Sequence, residues 1–238
     1  MKNQILGIVF IPLMIIACSD EFAGDSDSPG QLRPIKQKFG GVSNPQNLFD
    51  GSGVLYEEIA DLYDASHFNH TTMDQVIEAV DSLYTSHTLV VFGNPSPTLD
   101  PYRSTISSLI NNPSESITLI ESSPNLGATA KSSLISFTNY LLLHKNDDYE
   151  DLYDGILNYE QSILSSGMYS PSEKQSMLTA TSILRYSFFR KRRKDKDWET
   201  SVGNIVASIY GSSEGMATGI KISLVVEICR DHDIYQQD

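Results

Sequence analysis

Apolar residues after position 45 recur mostly at the three- and four-residue spacing of a helix. That spacing places them along one helix face, where they can pack against a neighbouring helix. Short polar or Pro-containing stretches separate the stripes, which predicts an all-α fold, an irregular helical bundle. The stripes are Leu55, Ile59, Leu62 and Tyr63; Val76, Ile77, Val80, Leu83 and Tyr84; Ile106, Leu109 and Ile110; Leu134, Ile135, Phe137, Leu141 and Leu142; Leu152, Ile156, Leu157, Ile163 and Leu164; and Met177, Leu178, Ile183, Leu184, Phe188 and Phe189.

Three short patterns predict where helices begin. Thr72 and Gln75 have the spacing of a capping box, and Ser170-Pro171-Ser172-Glu173 combines an N-cap, an N1 proline and an N3 glutamate. Asp100-Pro101 predicts a further start, with the aspartate as N-cap. The sequence Leu-Val-Val-Phe at 89–92 is β-branched and aromatic and precedes Gly-Asn-Pro, so we expect it to be extended or loop.

A ladder of small residues occupies every fourth position near the C-terminus. On a single helix over about residues 198–228, it would form a nearly bare face against which a helix at 170–189 could pack closely. The alternatives are self-association or membrane entry through this glycine zipper, or a loop at residues 211–215. Glu214 and Lys221 oppose membrane entry, because each costs about 2.5–3.5 kcal/mol at a bilayer centre. The ladder comprises Gly203, Ala207, Gly211, Gly215, Gly219 and Ser223.

The first 17 residues have the layout of a secretory signal peptide. Lys2 precedes an apolar segment that ends in Ile15-Ile16-Ala17-Cys18, which is a lipobox, and the segment is too short to span a bilayer. We therefore expect cleavage before Cys18 and attachment of acyl chains such as palmitate to it. The alternative is an ordinary cleaved signal peptide followed by a coincidental cysteine.

Composition divides the remaining chain into two parts. Residues 18–45 are rich in Asp, Glu, Pro and Gly and poor in large apolar residues, which predicts a flexible acidic tether. Residues 46–238 then form the helical domain. Cys18 and Cys229 are the only cysteines, so with Cys18 lipidated no intramolecular disulfide can form, and we expect Cys229 to be buried.

The charge of the mature chain limits its partners. Loss of Lys2 with the signal peptide changes the formal net charge from −13 to −14. This acidic balance disfavours nucleic acid and anionic lipid as partners.

Several segments resemble known bacterial envelope proteins. Residues 159–163 (Tyr-Glu-Gln-Ser-Ile), the 170–174 helix start, residues 180–187, Trp198 and the ladder resemble a group of small Bacteroidetes lipoproteins or secreted proteins with a Gly-rich C-terminal helix. The resemblance covers the C-terminal half and implies a helical fold and an envelope location, without active residues. The charges within this ladder depart from a pore-like pattern. By resemblance to Gram-negative lipoproteins, Ser19 in place of aspartate after the lipobox cysteine implies sorting to the outer membrane. Asp20-Glu21 resembles the acidic export tag of surface-exposed Bacteroidetes lipoproteins and implies surface display.

Two motifs carry candidate chemistry, each with a simpler interpretation. Residues 211–215 match G-x-S-x-G around Ser213, but a nucleophile elbow needs a strand, a turn and a helix, with the acid and histidine much later in the chain. Asp61, Asp64, His67 and His70 have a spacing that could hold zinc, yet histidines also favour helix ends. We therefore expect no metal, no cofactor and no catalytic residues.

A basic run at 190–196 contains six of the chain's 17 lysines and arginines. It could bind phosphates of lipopolysaccharide, an acidic glycan or an acidic protein. The alternative is a solvated helix C-terminus whose positive charges interact favourably with the helix dipole. The candidate anion-binding residues are Arg190, Lys191, Arg192, Arg193, Lys194 and Lys196.

These observations predict a lipid-anchored protein of the cell envelope that acts by non-enzymatic interaction. The resemblances at residues 19–21 imply the outer membrane, with display on the cell surface. The alternatives are a membrane-active or self-assembling protein of bacteriocin-like type and a serine hydrolase that uses Ser213. Membrane contact would be made by lipid on Cys18. The sequence specifies neither the protein or glycan partner nor the oligomeric state.

Overall fold

The computed structural model describes residues 41–92, 97–194 and 201–234, with only the backbone for 89–92. These ranges contain helices and no strand, which confirms the predicted all-α fold. Two short 3₁₀ turns, Asp100–Tyr102 and Pro113–Glu115, join the α-helices. The α-helices are α1 (Gly51–Ala65), α2 (Met73–Phe92), α3 (Arg103–Asn111), α4 (Ile117–Ser122), α5 (Ala128–Leu143), α6 (Tyr149–Ser165), α7 (Pro171–Lys194), α8 (Val202–Glu214) and α9 (Met216–Asp231).

Two predicted helix starts have the expected hydrogen bonds. The Gln75 backbone N–H donates to the Thr72 hydroxyl at 3.3 Å, and the Thr72 backbone N–H donates to the Gln75 side-chain carbonyl at 3.3 Å. Glu173 N–H donates to the Ser170 hydroxyl at 3.3 Å, while Ser170 N–H donates to the Glu173 carboxylate at 2.7 Å. Reciprocal bonds of this kind satisfy backbone groups that a helix end leaves unpaired.

The prediction for Asp100 is wrong in detail. A 3₁₀ turn begins there, but the Asp100 side chain makes no capping bond and instead accepts from Arg103 Nε at 3.0 Å. The Arg103 guanidinium therefore occupies the Asp100 carboxylate, which would otherwise be free to cap the helix N-terminus.

Residues 89–92 are helical, so the prediction of an extended or loop segment is also wrong. They form the last turn of α2, which packs on α1 and α9. The β-branched preference for strands is small, and continuation of an already packed helix outweighs it.

Helix α7 is the centre of the bundle and contacts α1, α6, α8 and α9. Every residue from Met177 to Phe188 is buried, so this helix has no solvent-facing stripe over three turns. Helices α1 and α2 pack with α9, and α3, α4 and α5 pack with α8. The folded part begins before position 46, since Val42 is fully buried and the Asn44 side chain is hydrogen-bonded.

The predicted single helix over residues 198–228 is wrong, because Gly215 divides it. Helix α8 ends at Glu214 and α9 begins at Met216, and Gly215 between them has φ +135° and ψ 159°. Only glycine adopts that backbone region readily. The break lies at one end of the 211–215 stretch for which a loop was the alternative.

The two halves of the ladder pack against each other as α9 returns along α8. A methyl group on Gly211 would lie 2.9 Å from the Gly219 Cα, so the two backbones are nearly in contact there. One step further along the pair, the Ser223 hydroxyl donates to the Ser208 hydroxyl at 3.0 Å. The small residues thus permit close packing within one chain. No helix in the described ranges is long and apolar enough to cross a membrane.

Candidate functional site

A buried arginine holds the segment that leads into the bundle. This leading segment, residues 42–50, lies against α6 and α7. Arg185 of α7 is fully buried, and its guanidinium donates to the Val42 carbonyl and to the Asp50 carboxylate. Its Nε also donates to the Glu160 carboxylate of α6 at 3.2 Å. Burial lowers the pKa of Arg185, but Glu160 and Asp50 more than offset that effect and raise it, which keeps the cation charged.

Glu160 completes the network from the other side. Its carboxylate is fully buried and accepts from the Asn44 amide at 2.6 Å, the Asn47 amide at 2.8 Å and the Thr181 hydroxyl at 2.7 Å. An unpaired charge in such a place would be very costly, whereas here both charges have several partners. We call this network of Arg185, Glu160, Asp50, Asn44 and Asn47 the anchor network.

The basic run is paired with carboxylates of the same chain, beginning with a mostly buried Arg190. Its side chain is 5% exposed and donates to Asp61 at 2.9 Å and to Asp64 at 2.5 Å. Lys194 also lies 3.1 Å from Asp64. Burial raises the pKa of Asp64, but Arg190 and Lys194 outweigh burial and bring it below its ordinary value.

The remaining described members of the run have partners too. The distances are 3.4 Å for Lys191 to Asp231 and 2.6 Å for Arg192 to Glu150, and Arg193 binds the buried Glu57. Lys196 lies outside the described residues. An external anion would have to compete with these internal carboxylates, and the members that solvent reaches most are Arg192, Arg193 and Lys194, with side chains 43%, 40% and 49% exposed.

The candidate zinc residues are engaged differently. Asp61 and Asp64 bind Arg190, and the His70 ring nitrogen lies 2.9 Å from the Tyr63 hydroxyl. His67 is exposed and has a positive φ of 49°. Among the described residues no group of three or more His, Cys, Asp or Glu side chains could hold a metal ion.

Ser213 lies in the last turn of α8, which is a helix end and lacks the strand of a nucleophile elbow. Its hydroxyl donates to the Tyr210 carbonyl at 2.7 Å and lies 3.0 Å from the Ser123 hydroxyl. These contacts are those of a helix end packed against the loop after α4.

A cleft of about 840 Å³ lies between the α1–α2 connection and the end of α9. Buried Tyr63, Met73 and Ile234 line its interior. The Phe68 ring at its edge is 43% exposed and stacks on His70, with centroids 4.6 Å apart. This is a solvent-open concave surface with an aromatic edge, of the kind that binds ligands or partner side chains.

Of the two cysteines, only Cys229 lies within the described residues. Cys18 and residues 1–40 lie outside the described residues. Cys229 is buried as expected, and burial raises the pKa of its thiol to about 12. The thiol is therefore protonated and unreactive at neutral pH.

Comparisons with protein-family models, curated proteins and solved structures give no match for this chain.

Proposed function

We propose that this protein is anchored by lipid on Cys18 in the cell envelope, at the outer membrane, and acts there through non-enzymatic binding by its helical domain. The lipobox and the signal-peptide layout support the anchor. The resemblance to small Bacteroidetes envelope proteins supports the location.

The anchor network is the observation that carries this proposal. A domain held by its N-terminal side experiences any pull at the point where the chain enters the fold. In this chain Arg185 donates to the Val42 carbonyl and the Asp50 carboxylate at that point, and the Asn44 and Asn47 amides donate to the fully buried Glu160. These bonds tie the segment to α6 and α7. Such an attachment suits a domain that stays attached to its anchor while it binds a partner.

Replacement of Cys18 by serine tests the anchor. We expect the Cys18→Ser protein to incorporate no labelled palmitate and to leave the membrane fraction, because serine has no thiol for acylation. Fractionation of cells grown with labelled palmitate measures both effects, with Cys229→Ser as the matched control. Incorporation of label by Cys18→Ser would show that the anchor is elsewhere.

Capture from intact cells tests the binding role. The lipidated protein is cross-linked in place and its partners are compared with those of the Phe68→Ala variant, which changes the edge of the cleft, and of Leu48→Ala, which changes another exposed side chain. A partner lost only in Phe68→Ala would place binding at the cleft. The same captured set from all three proteins would exclude the cleft as the binding surface.

The acidic-partner form of the proposal has its own test, built on the exposed members of the basic run. Arg192→Gln with Lys194→Gln is expected to weaken binding to lipopolysaccharide or another polyanion more than tenfold at low salt, since each charge-assisted contact is worth about 1.5–3 kcal/mol. The melting temperature should change little, because both side chains are largely exposed. Inclusion of Arg190→Gln would confuse the result, since Arg190 is buried against its own carboxylates. Unchanged binding by the double variant would exclude the run as an anion site.

A further inference from the structure

The charged groups that line the cleft between the α1–α2 connection and the end of α9 are acidic. None of the described residues that line it is lysine or arginine, although the chain has 17 of them, and two are aspartates, Asp74 and Asp233. Arg103 lies outside the lining, where it pairs with Asp74 and offsets its charge. The Asp233 carboxylate contributes a second negative charge, so the lining favours a cation over an anion.

The C-termini of two helices reach this cleft and add to its negative potential. Tyr63 in the last turn of α1 and His232 directly after α9 both line it. A helix C-terminus carries about half a negative charge, and the last turn of α1 contains no basic residue to offset it. The last turn of α9 contains Arg230, whose guanidinium donates to the Ile110 carbonyl of α3. The N-terminus of α2 also reaches the cleft, but Asp74 in its first turn opposes the positive end of that helix.

Three of the lining side chains have aromatic rings that contact one another. The ring centroids of Tyr63 and Phe68 are 5.2 Å apart, and the Phe68 and His70 rings stack with their planes 16° from parallel. Burial raises the pKa of Tyr63 to about 12, so its hydroxyl keeps its proton and can donate to the His70 ring nitrogen 2.9 Å away. An imidazole that accepts this bond is neutral and does not repel a cation. The half-exposed Phe68 ring thus offers a cation the negative face of an aromatic system.

The shape and lining of the cleft suit an organic cation better than a metal ion. Met73 and Ile234 are both buried and give the cleft an apolar floor. No three His, Cys, Asp or Glu side chains in the part of the chain that the structure describes are placed to hold a metal ion. The volume of about 840 Å³ also leaves room for alkyl groups beside a charged centre.

We propose that this cleft binds an organic ammonium group, with its charge against the exposed Phe68 ring and in the field of Asp233. Its alkyl carbons then lie on the apolar floor of Met73 and Ile234. The inference rests on the proposed binding role and names its ligand chemistry. The ammonium group can belong to a small molecule or to a lysine side chain of a partner protein, since both present the same chemistry. The formal net charge of −13 also attracts such a cation from a distance.

Probes that differ only in charge test the ligand chemistry. Choline and its uncharged carbon analogue 3,3-dimethylbutan-1-ol have nearly the same shape, and both are titrated by calorimetry into the purified full chain with Cys18→Ser. We expect only choline to bind, with an affinity that falls as salt is added, because salt screens the attraction. An acetylated and amidated peptide with one lysine, compared with its norleucine counterpart, shows whether the cleft prefers the ammonium group on a protein. Equal binding within both pairs of probes, or no binding of choline and of the lysine peptide, would overturn the proposal.

Substitutions in the cleft then test the place of binding. Phe68→Leu keeps an apolar side chain but removes the aromatic face, and we expect it to bind the ammonium probe about five- to thirtyfold more weakly, whereas Phe68→Tyr should bind like the wild type. Asp233→Asn should weaken binding at low salt, and asparagine tolerates the left-handed backbone at this position, where φ is 52°.

Asp154→Asn is the matched control for the charge, since Asp154 is an exposed aspartate of α6 outside the cleft, and it should leave binding unchanged. Unchanged affinity in Phe68→Leu, or equal affinities of Asp233→Asn and Asp154→Asn, would overturn the proposal. The binding role itself would survive that result, because capture from intact cells tests it without assuming the ligand.

Discussion

Replacement of Arg185 by methionine is expected to lower the free energy of unfolding by about 3–5 kcal/mol, the usual cost of removing one partner of a buried ion pair. The Glu160 carboxylate would remain fully buried without its cation, and the Val42 carbonyl and Asp50 would lose their donor. Urea unfolding of the full chain measures the change as a shift of the transition midpoint. Hydrogen exchange at the Asn47 and Asp50 amides should show the leading segment opening first.

A double variant separates the ion pair from the loss of packing. In Arg185→Met with Glu160→Gln, the uncompensated charge is gone, while the glutamine carbonyl can still accept from Asn47 and Thr181. We therefore expect the double variant to be more stable than Arg185→Met alone. Glu160→Gln alone completes the double-mutant cycle, from which the coupling between the two residues is obtained. A single variant as stable as the wild type would contradict the anchor network, and so would a double variant less stable than the single one.

Two of the three predicted helix starts were predictable because their determinants are local. The Thr72 and Ser170 caps each depend on four consecutive residues, and their hydrogen bonds are formed as predicted. Residues 89–92 were not predictable in the same way, because they continue α2, a helix that packs on α1 and on the distant α9.

The anchor network has a sequence signal that periodicity alone overlooks. Arg185 lies between Leu184 and Tyr186 in a stretch of α7 that is apolar or small on all sides, so the helix has no polar face that could bring the charge to solvent. A lone arginine in such a helix predicts a buried carboxylate partner. The identity of that partner is a tertiary fact, since Glu160 and Asp50 are 25 and 135 residues away.

The partners of the basic run were also not predictable from the sequence. A cluster of cations at a helix end is equally compatible with a solvated terminus, an external anion or internal carboxylates. Asp61 and Asp64, which bind Arg190, are 129 and 126 residues away, and their spacing also fits a zinc site with His67 and His70. These ion pairs were not predictable mainly because their members lie so far apart along the chain.

The ladder was visible as a pattern, but its fold-back was not. A four-residue period predicts a common face only as long as one helix continues, and Gly215 ends that helix. Substitution of Gly215 should therefore act through backbone strain, because nothing lies within 4 Å of a methyl group placed there. Close packing is instead concentrated at Gly211 and Gly219.

Replacement of Gly219 by leucine is expected to lower the free energy of unfolding by about 3 kcal/mol, the upper end of the usual cost of overpacking. Even a Cβ atom at this position would lie 2.9 Å from the backbone N and Cα of Ser212, and backbone of a packed helix cannot move aside as a flexible side chain can. Leucine favours helices over glycine by up to about 1 kcal/mol, so the loss must come from the α8–α9 contact. Gly51→Leu is the matched control, since Gly51 is also helical and has nothing within 4 Å of an added Cβ. Thermal and urea unfolding of both variants measure the difference, and equal stability of the two would show that α8 and α9 do not meet at Gly219.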